Sequence, residues 1–357
     1  MSLEVGSSAN AEPDLEMRQL SLFEGRTLPA GPGLLDGAAG PPPGDGAPAG
    51  QLDLFAQRTL RLSRAAGAIA AGELGEARRM LAELAALHPA DADIRRQSER
   101  IAALDRKLAR AMASAAPAAG LLEIARGLEL ESGAFASLRR VFLGRVAAAL
   151  RAAEGDDGRL EGQPPGYYWL AAGDVPEAHA SLLRAVAARR SARALFLLGD
   201  AATSLGEPAA RRFYLEALLC DPFDAALASA RDEAVRGLPD VARYELEIED
   251  EPAAWSAPVG IVTGVLPPPV GIAIALDEAG SGGAAASGGA PERPWSPAQG
   301  EALSMARRFV AALAAASSRE ARRSGEAVIE ARRAMKRLAP ALFAAYMARG
   351  GGALQRG

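Results

Sequence analysis

Leu195-Phe196-Leu197-Leu198-Gly199, then Leu205-Gly206-Glu207, then Tyr214-Leu215-Glu216-Ala217-Leu218-Leu219-Cys220-Asp221-Pro222 is the stretch that decides the fold. Leu195, Leu198 and Gly199 fall on one face of a helix. Leu205-Gly206-Glu207 reads as a tight turn, because glycine there reaches backbone conformations closed to other residues. Ala210, Tyr214, Ala217 and Leu218 give a second apolar face, and Asp221-Pro222 stops it, since proline cannot continue a helix. The result is an antiparallel helix pair. A small residue lets two such helices approach, and a large residue a turn away fills the groove beside it.

The same grammar recurs twice. From about Leu54 the chain takes a helical period, with Phe55, Leu62, Ala66 and Ile69 on one face. Ala71-Gly72-Glu73 turns, and Leu74, Ala77, Leu81 and Leu84 follow up to His88-Pro89. Over Tyr167–Arg190, Gly173-Asp174 makes the turn, with Ala178, Leu182 and Ala185 after it. Composition agrees with an all-α chain. Apolar residues make up 49% of the 357 residues but aromatic residues only 5%. Ala and Leu dominate the apolar share, and they favour helix over sheet.

These pairs resemble tetratricopeptide repeats over parts of residues 54–240. The family places small residues where paired helices cross, glycine at the turn and proline after the second helix. Ala65, Gly72, Ala77, Leu81 and Pro89 stand at those positions in the first pair, while Arg61 and Ala68 occupy the slots of the family's large aromatics. The ending Tyr214-x-x-Ala217-Leu218-x-x-Asp221-Pro222 is close to the family's pattern. The resemblance implies a stack of helical hairpins that binds other proteins.

The chain divides by composition. Residues 1–50 read as a disordered tail, since Pro29–Gly50 is almost wholly Gly, Pro, Ala and Asp and has little to bury. Residues 51–276 read as the helical-repeat domain. Three further helices are expected within it, near 91–114, 118–131 and 134–153, the last striped by Phe135, Leu138, Phe142, Val146 and Leu150. Glu251-Pro252 reads as a helix start whose Trp255, Val259, Val262 and Leu266 cap the end of the stack. Val270–Leu276 is open between helix and extended chain. Residues 277–295 read as a Gly, Ser and Ala linker. Residues 296–350 read as a separate helical hairpin or partner-binding tail, opened by a Ser296/Gln299 capping box and interrupted at Pro340.

One motif points outward. Gln19-Leu20-Ser21-Leu22-Phe23 is followed by Gln51-Leu52-Asp53-Leu54-Phe55, the two differing only at the small polar middle residue. The pentapeptide resembles the linear motif by which bacterial replication and repair proteins dock on the DNA sliding clamp. The resemblance implies that Gln19 and Gln51 hydrogen-bond at a pocket rim, and that Leu20, Leu22, Phe23 and Leu52, Leu54, Phe55 fill an apolar cleft. The first copy sits in the tail with no helix to join. The second has a competing role, with Asp53 as an N-cap and Leu54 and Phe55 on the first helix's apolar face.

Catalytic constellations are sparse. His88 is expected at a helix C-terminus, where a cation meets the dipole favourably, and His179 within a repeat helix. With the single Cys220 they give no metal-ligand spacing, so no metal and no cofactor is expected. One cysteine also excludes an intramolecular disulfide. Gly280–Gly289 lacks the lysine and strand of a phosphate loop. The acidic run Glu245, Glu247, Glu249, Asp250 and Glu251 reads as a solvated face. So do Arg319, Arg322, Arg323, Arg332, Arg333, Lys336 and Arg337, which Glu320, Glu326 and Glu330 dilute. Tyr167-Tyr168-Trp169 reads as packing. Net charge is −4, without the basic excess of a bulk nucleic-acid binder. Met1–Met17 lacks the apolar segment of a signal peptide, and Pro267-Pro268-Pro269 breaks the longest apolar run. A cytoplasmic protein without membrane or direct nucleic-acid contact is the expectation. Three functions are open: a non-enzymatic helical-repeat adaptor, an accessory factor tethered to the sliding clamp, and an enzyme with an unrecognised site.

Overall fold

Three short loops, Ala71-Gly72-Glu73, Gly173-Asp174 and Gly206-Glu207, set the geometry of the helix pairs that carry the fold. The computed structural model describes residues 49–270, 272, 294–318 and 325–349. In each loop the glycine lies in the left-handed region, with φ of 77° at Gly72, 87° at Gly173 and 71° at Gly206. Each closes its helix with the same pair of bonds. The amide after the glycine donates five residues back, Glu73 to Ala68, Asp174 to Trp169 and Glu207 to Ala202. The glycine amide donates three residues back, to Ile69, Leu170 and Thr203. This double closure satisfies the last carbonyls of a helix and needs a residue that tolerates positive φ.

The described residues are all-α. They contain no strand, only an isolated bridge between Leu160 and Gln163. The chain forms two units divided between Arg145 and Val146. In the first, α1 (Ala49–Ala70) pairs with α2 (Leu74–Leu87), and α3 (Ala92–Met112) packs on α2. Then come α4 (Pro117–Arg126) and α5 (Gly133–Glu154), a helix that runs through the division. Asp91 caps α3, accepting from the Asp93 and Ile94 amides, and is held by Arg58 of α1 at 2.5 Å. Ala65, Ile69, Leu74, Ala77, Leu81 and Leu84 are buried where α1 and α2 meet. The α1 helix starts at Ala49, so Asp53 lies inside it and is not its N-cap.

In the second unit α6 (Pro165–Ala172) pairs with α7 (Val175–Ala188), and α8 (Ala192–Leu205) with α9 (Ala210–Cys220). Close approach is provided by Gly166 and Gly199. A methyl on Gly166 would sit 2.4 Å from Leu182 Cγ, and one on Gly199 would sit 2.8 Å from the Tyr214 ring. Ala65 holds the same place in the first pair, seven residues before the turn glycine in all three. Gly166 is the member that sequence reading passed over.

Short turns over 227–245 lead to α12 (Ser256–Thr263), after the brief helices α10 (Glu233–Arg236) and α11 (Leu238–Asp240). α12 starts at Ser256 rather than at Pro252; residues 252–255 form turns leading into it, after Glu251 with a positive φ of 47°. Trp255, Val259, Val262 and Leu266 are all buried, as expected of one apolar face. Their role as a terminal cap is corrected. α12 is buried from Ser256 to Val262 and packs against α9 on one side, and against α13 (Pro297–Ser317) and α15 (Pro340–Ala348) on the other. The expectation of a separate C-terminal hairpin is corrected with it. Together with α14 (Gly325–Leu338), these helices complete one core, joining Phe309, Leu313, Met335 and Leu342 to Tyr214, Leu218, Trp255 and Val259. The Ser296/Gln299 capping box is formed, and Pro340 ends α14 and opens α15.

Two buried polar contacts fasten these helices. Arg307, only 9% exposed, donates to the carbonyls of Leu219 and Cys220 at 2.9 and 2.8 Å, satisfying the free end of α9. Trp295 Nε1 donates to Asp221 Oδ2 at 2.9 Å, while Asp221 Oδ1 accepts from the Phe223 and Asp224 amides. The Asp-Pro ending therefore does more than stop a helix. It is the anchor for a segment 74 residues away.

Candidate partner-binding site

The sequence places partner binding in the two pentapeptides. Gln19, Leu20, Leu22 and Phe23 lie outside the described residues. Gln51, Leu52, Leu54 and Phe55 fall in the first turns of α1, so the backbone of the second copy is helical.

The open surface of the first unit follows from the pairing of α1 and α2. Arg64, Gly67 and Ala68 of α1 and Glu73, Glu76 and Met80 beside them line an open groove of about 550 Å³. Gly67 lies in the last turn of α1, and a methyl placed on it would meet no atom within 4 Å. Leu60, one turn before Arg64, is 52% exposed, and Leu87 of α2 is exposed too. Glu76 pairs with Arg79 at 2.5 Å, leaving its neighbours to set an amphipathic surface of mixed charge.

α8 is buried at Ala192 and from Ala194 to Ala202. Its one carboxylate, Asp200, is 6% exposed and accepts from the Tyr214 hydroxyl at 2.6 Å and the Arg231 amide at 2.9 Å. Thr203 joins the network at Tyr214, and the Arg231 guanidinium donates to Ser204. Burial pushes the Asp200 carboxyl up from its ordinary value, against the pull of the Tyr214 and Arg231 donors. Burial pushes the Tyr214 phenol up as well, and the Asp200 carboxylate it serves adds to the rise. The pair is a satisfied buried network tying α8 to α9 and to the following turns. Sequence reading had Tyr214 as packing alone and did not mark Asp200.

The remaining chemistry-bearing residues are dispersed. His88 caps α2 through its amide on Leu84. His179 Nε2 lies 3.4 Å from a Glu207 oxygen, without a formed hydrogen bond. Burial pushes the Cys220 thiol up, away from the thiolate that a reactive cysteine needs. Glu245, Glu247, Glu249 and Asp250 are exposed. Arg333, Lys336 and Arg337 are exposed on α14 with Glu326 and Glu330, while Arg319, Arg322 and Arg323 lie outside the described residues. Tyr168 is buried, its hydroxyl donating to Leu160, and Tyr167 meets it edge-on at 5.2 Å. Among the described residues no group of His, Cys, Asp and Glu side chains is placed to hold a metal ion. Among them, too, no helix is long and apolar enough to cross a membrane. Comparison with protein-family models, curated proteins and solved structures gives no match for this chain.

Proposed function

We propose that this chain is a non-enzymatic helical-repeat adaptor of the tetratricopeptide kind, and that Gln19–Phe23 tethers it to a bacterial DNA sliding clamp. One observation carries the adaptor reading. Three helix pairs share one construction: a small residue at the crossing, a left-handed glycine seven residues on, and an acidic residue next to it in the same double closure. Such units bury a continuous core by stacking and present their remaining surface to partners. The tether rests on the pentapeptide itself, a polar rim residue followed by three apolar anchors in a segment with no apolar face of its own to complete. The backbone of Gln51–Phe55 is part of α1, so this reading gives the tether to the first copy.

The test uses the full chain. It is incubated with cell lysate and with purified clamp, as wild type and as Phe23→Ala. The clamp is expected to leave with Phe23 while other retained proteins stay, since the tether and the cargo surface are separate. Retention of the clamp by the Phe23→Ala chain would remove the tether. Retention of no protein by either chain would remove the adaptor.

A further inference from the structure

We propose that the outward face of α3 binds the phosphate backbone of duplex DNA, centred on Arg106, Lys107 and Arg110. The expectation against direct nucleic-acid contact came from the net charge of −4 over the whole chain. A duplex meets charge locally, and over residues 49–145 Lys and Arg outnumber Asp and Glu. The surface stands on α3 alone and is independent of the clamp tether.

α3 segregates its residues by face. Ile94 and Ile101 are buried on one side. At about 100° per residue, Arg95, Arg96, Arg106, Lys107 and Arg110 fall within about a third of the circumference on the opposite side, and all five are exposed. Glu99 is the one carboxylate in that third. Asp93 engages Arg96. Among the described residues no carboxylate pairs with Arg95, Arg106, Lys107 or Arg110. Other arginines of the same unit each hold an acid, Arg58 with Asp91, Arg78 with Asp105 and Arg100 with Glu131. The helix dipole accounts for Arg110 in the last turn, but not for Arg106 and Lys107 a turn earlier, which repel it. From Arg95 to Arg110 the face runs about 22 Å. Over that length duplex DNA presents about 13 phosphates.

What the face lacks selects the partner. It has no apolar side chain beyond alanine, so it offers a protein partner no anchor. A bilayer finds no apolar side to take up, because that side of α3 is buried in the fold. α3 has no aromatic residue on which unpaired bases would stack. The major groove of B-form DNA admits a helix, whereas that of duplex RNA is too deep and narrow for side chains to read. Duplex DNA, held without sequence preference, is the occupant that charge alone recognises.

The test is fluorescence anisotropy of a labelled DNA duplex of about 30 base pairs, titrated with the full chain between about 50 and 200 mM KCl. Dissociation constants of about 1–100 μM are expected, with a log–log salt slope of about −3.6 for four phosphate contacts. The triple variant Arg106→Gln, Lys107→Gln, Arg110→Gln is expected to bind at least about tenfold more weakly and to lose about 3 from the slope. Its melting temperature should stay within about 2 °C of wild type, since all three side chains are exposed. Arg106→Lys with Arg110→Lys keeps the charge and should keep the affinity. Arg333→Gln, Lys336→Gln, Arg337→Gln removes as many exposed cations from α14 and should leave binding unchanged. Phe23→Ala should leave it unchanged too, which separates this surface from the tether. Absence of binding by the wild type overturns the proposal, as does an unchanged slope in the α3 variant or an equal loss in the α14 variant. Single-stranded DNA or duplex RNA held as tightly as duplex DNA overturns the choice of partner, and so do phosphatidylserine vesicles that bind while DNA stays free.

Discussion

The α1–α2 pair and the α8–α9 pair are built on the same turn and filled in opposite ways. Both close on a left-handed glycine followed by glutamate, with the same two backbone bonds. In the α8–α9 pair the crossing glycine, Gly199, lies under Tyr214, whose ring also packs on Phe196 at 5.3 Å and whose hydroxyl reaches Asp200. In the α1–α2 pair Ala65 and Leu81 fill the crossing, and the aromatic positions hold Arg61 and Ala68. One crossing is filled by an aromatic ring and the other pair keeps an open groove. The backbone rule is therefore shared, and the side chains decide whether a hairpin becomes core or surface.

The comparison can be broken by truncating the residue at each crossing. Tyr214→Ala removes a buried ring and leaves the Asp200 carboxylate without its hydroxyl donor. It is expected to cost about 3–5 kcal/mol or more. Leu81→Ala removes an aliphatic side chain alone, at about 2–4 kcal/mol. All three tryptophans and all five tyrosines lie beyond residue 146. Urea unfolding followed by tryptophan fluorescence thus reads the second unit, and far-ultraviolet circular dichroism reads both. Tyr214→Ala should shift the fluorescence transition. Leu81→Ala should shift the dichroism more than the fluorescence, and the reverse pattern would dissolve the distinction.

Turn glycines sharpen the comparison at lower cost. Gly206→Ala puts a side chain into the left-handed region with open space around it, at about 1 kcal/mol. Gly72→Ala adds a clash, since the new methyl would sit 2.7 Å from Val141 Cγ1. It should cost about 1–3 kcal/mol more. Equal losses would show that α5 yields at Val141.

The C-terminal helices show what local patterns carry and what they do not. The glycine-acid turns, the Asp221-Pro222 stop, the Ser296 cap and the Pro340 break are each encoded within a few residues, and all were legible in the sequence. The joining of α13–α15 to the main core was not. It depends on Arg307 and Trp295 meeting the end of α9 across 87 and 74 residues, with a Gly-rich segment between. Nothing in the local periodicity of either end names the other. Asp53 as a cap failed for a related reason. A short polar residue is a cap only if the helix begins there, and this helix begins at Ala49. For the candidate site, the pentapeptide was visible as a motif, whereas the groove arises only when α1 and α2 are paired.

The smallest effects concern pH, and the two regions differ in sign. At Asp91 the Ile94 amide, with Arg58 beside it, holds the carboxyl below its ordinary value. Its contribution is present above the unfolded value and is lost as pH falls through the folded one. Asp200 is raised, so the folded state binds its proton more tightly. Stability then grows as pH falls from the raised value towards the ordinary carboxylate range. Asp91→Asn, which keeps a capping side chain, should flatten the loss of stability on acidification. Asp200→Asn should remove the opposing gain. Thermal melts between about pH 3 and 6 read both slopes, and like signs would contradict the assignment.

The central claim is that one of two near-identical pentapeptides is a ligand and the other belongs to a helix. Calorimetric titration of the full chain into purified bacterial clamp tests it most directly. The account predicts micromolar binding, abolished by Phe23→Ala and retained in Phe55→Ala. Binding that survives Phe23→Ala, or that is lost with Phe55 instead, would contradict it.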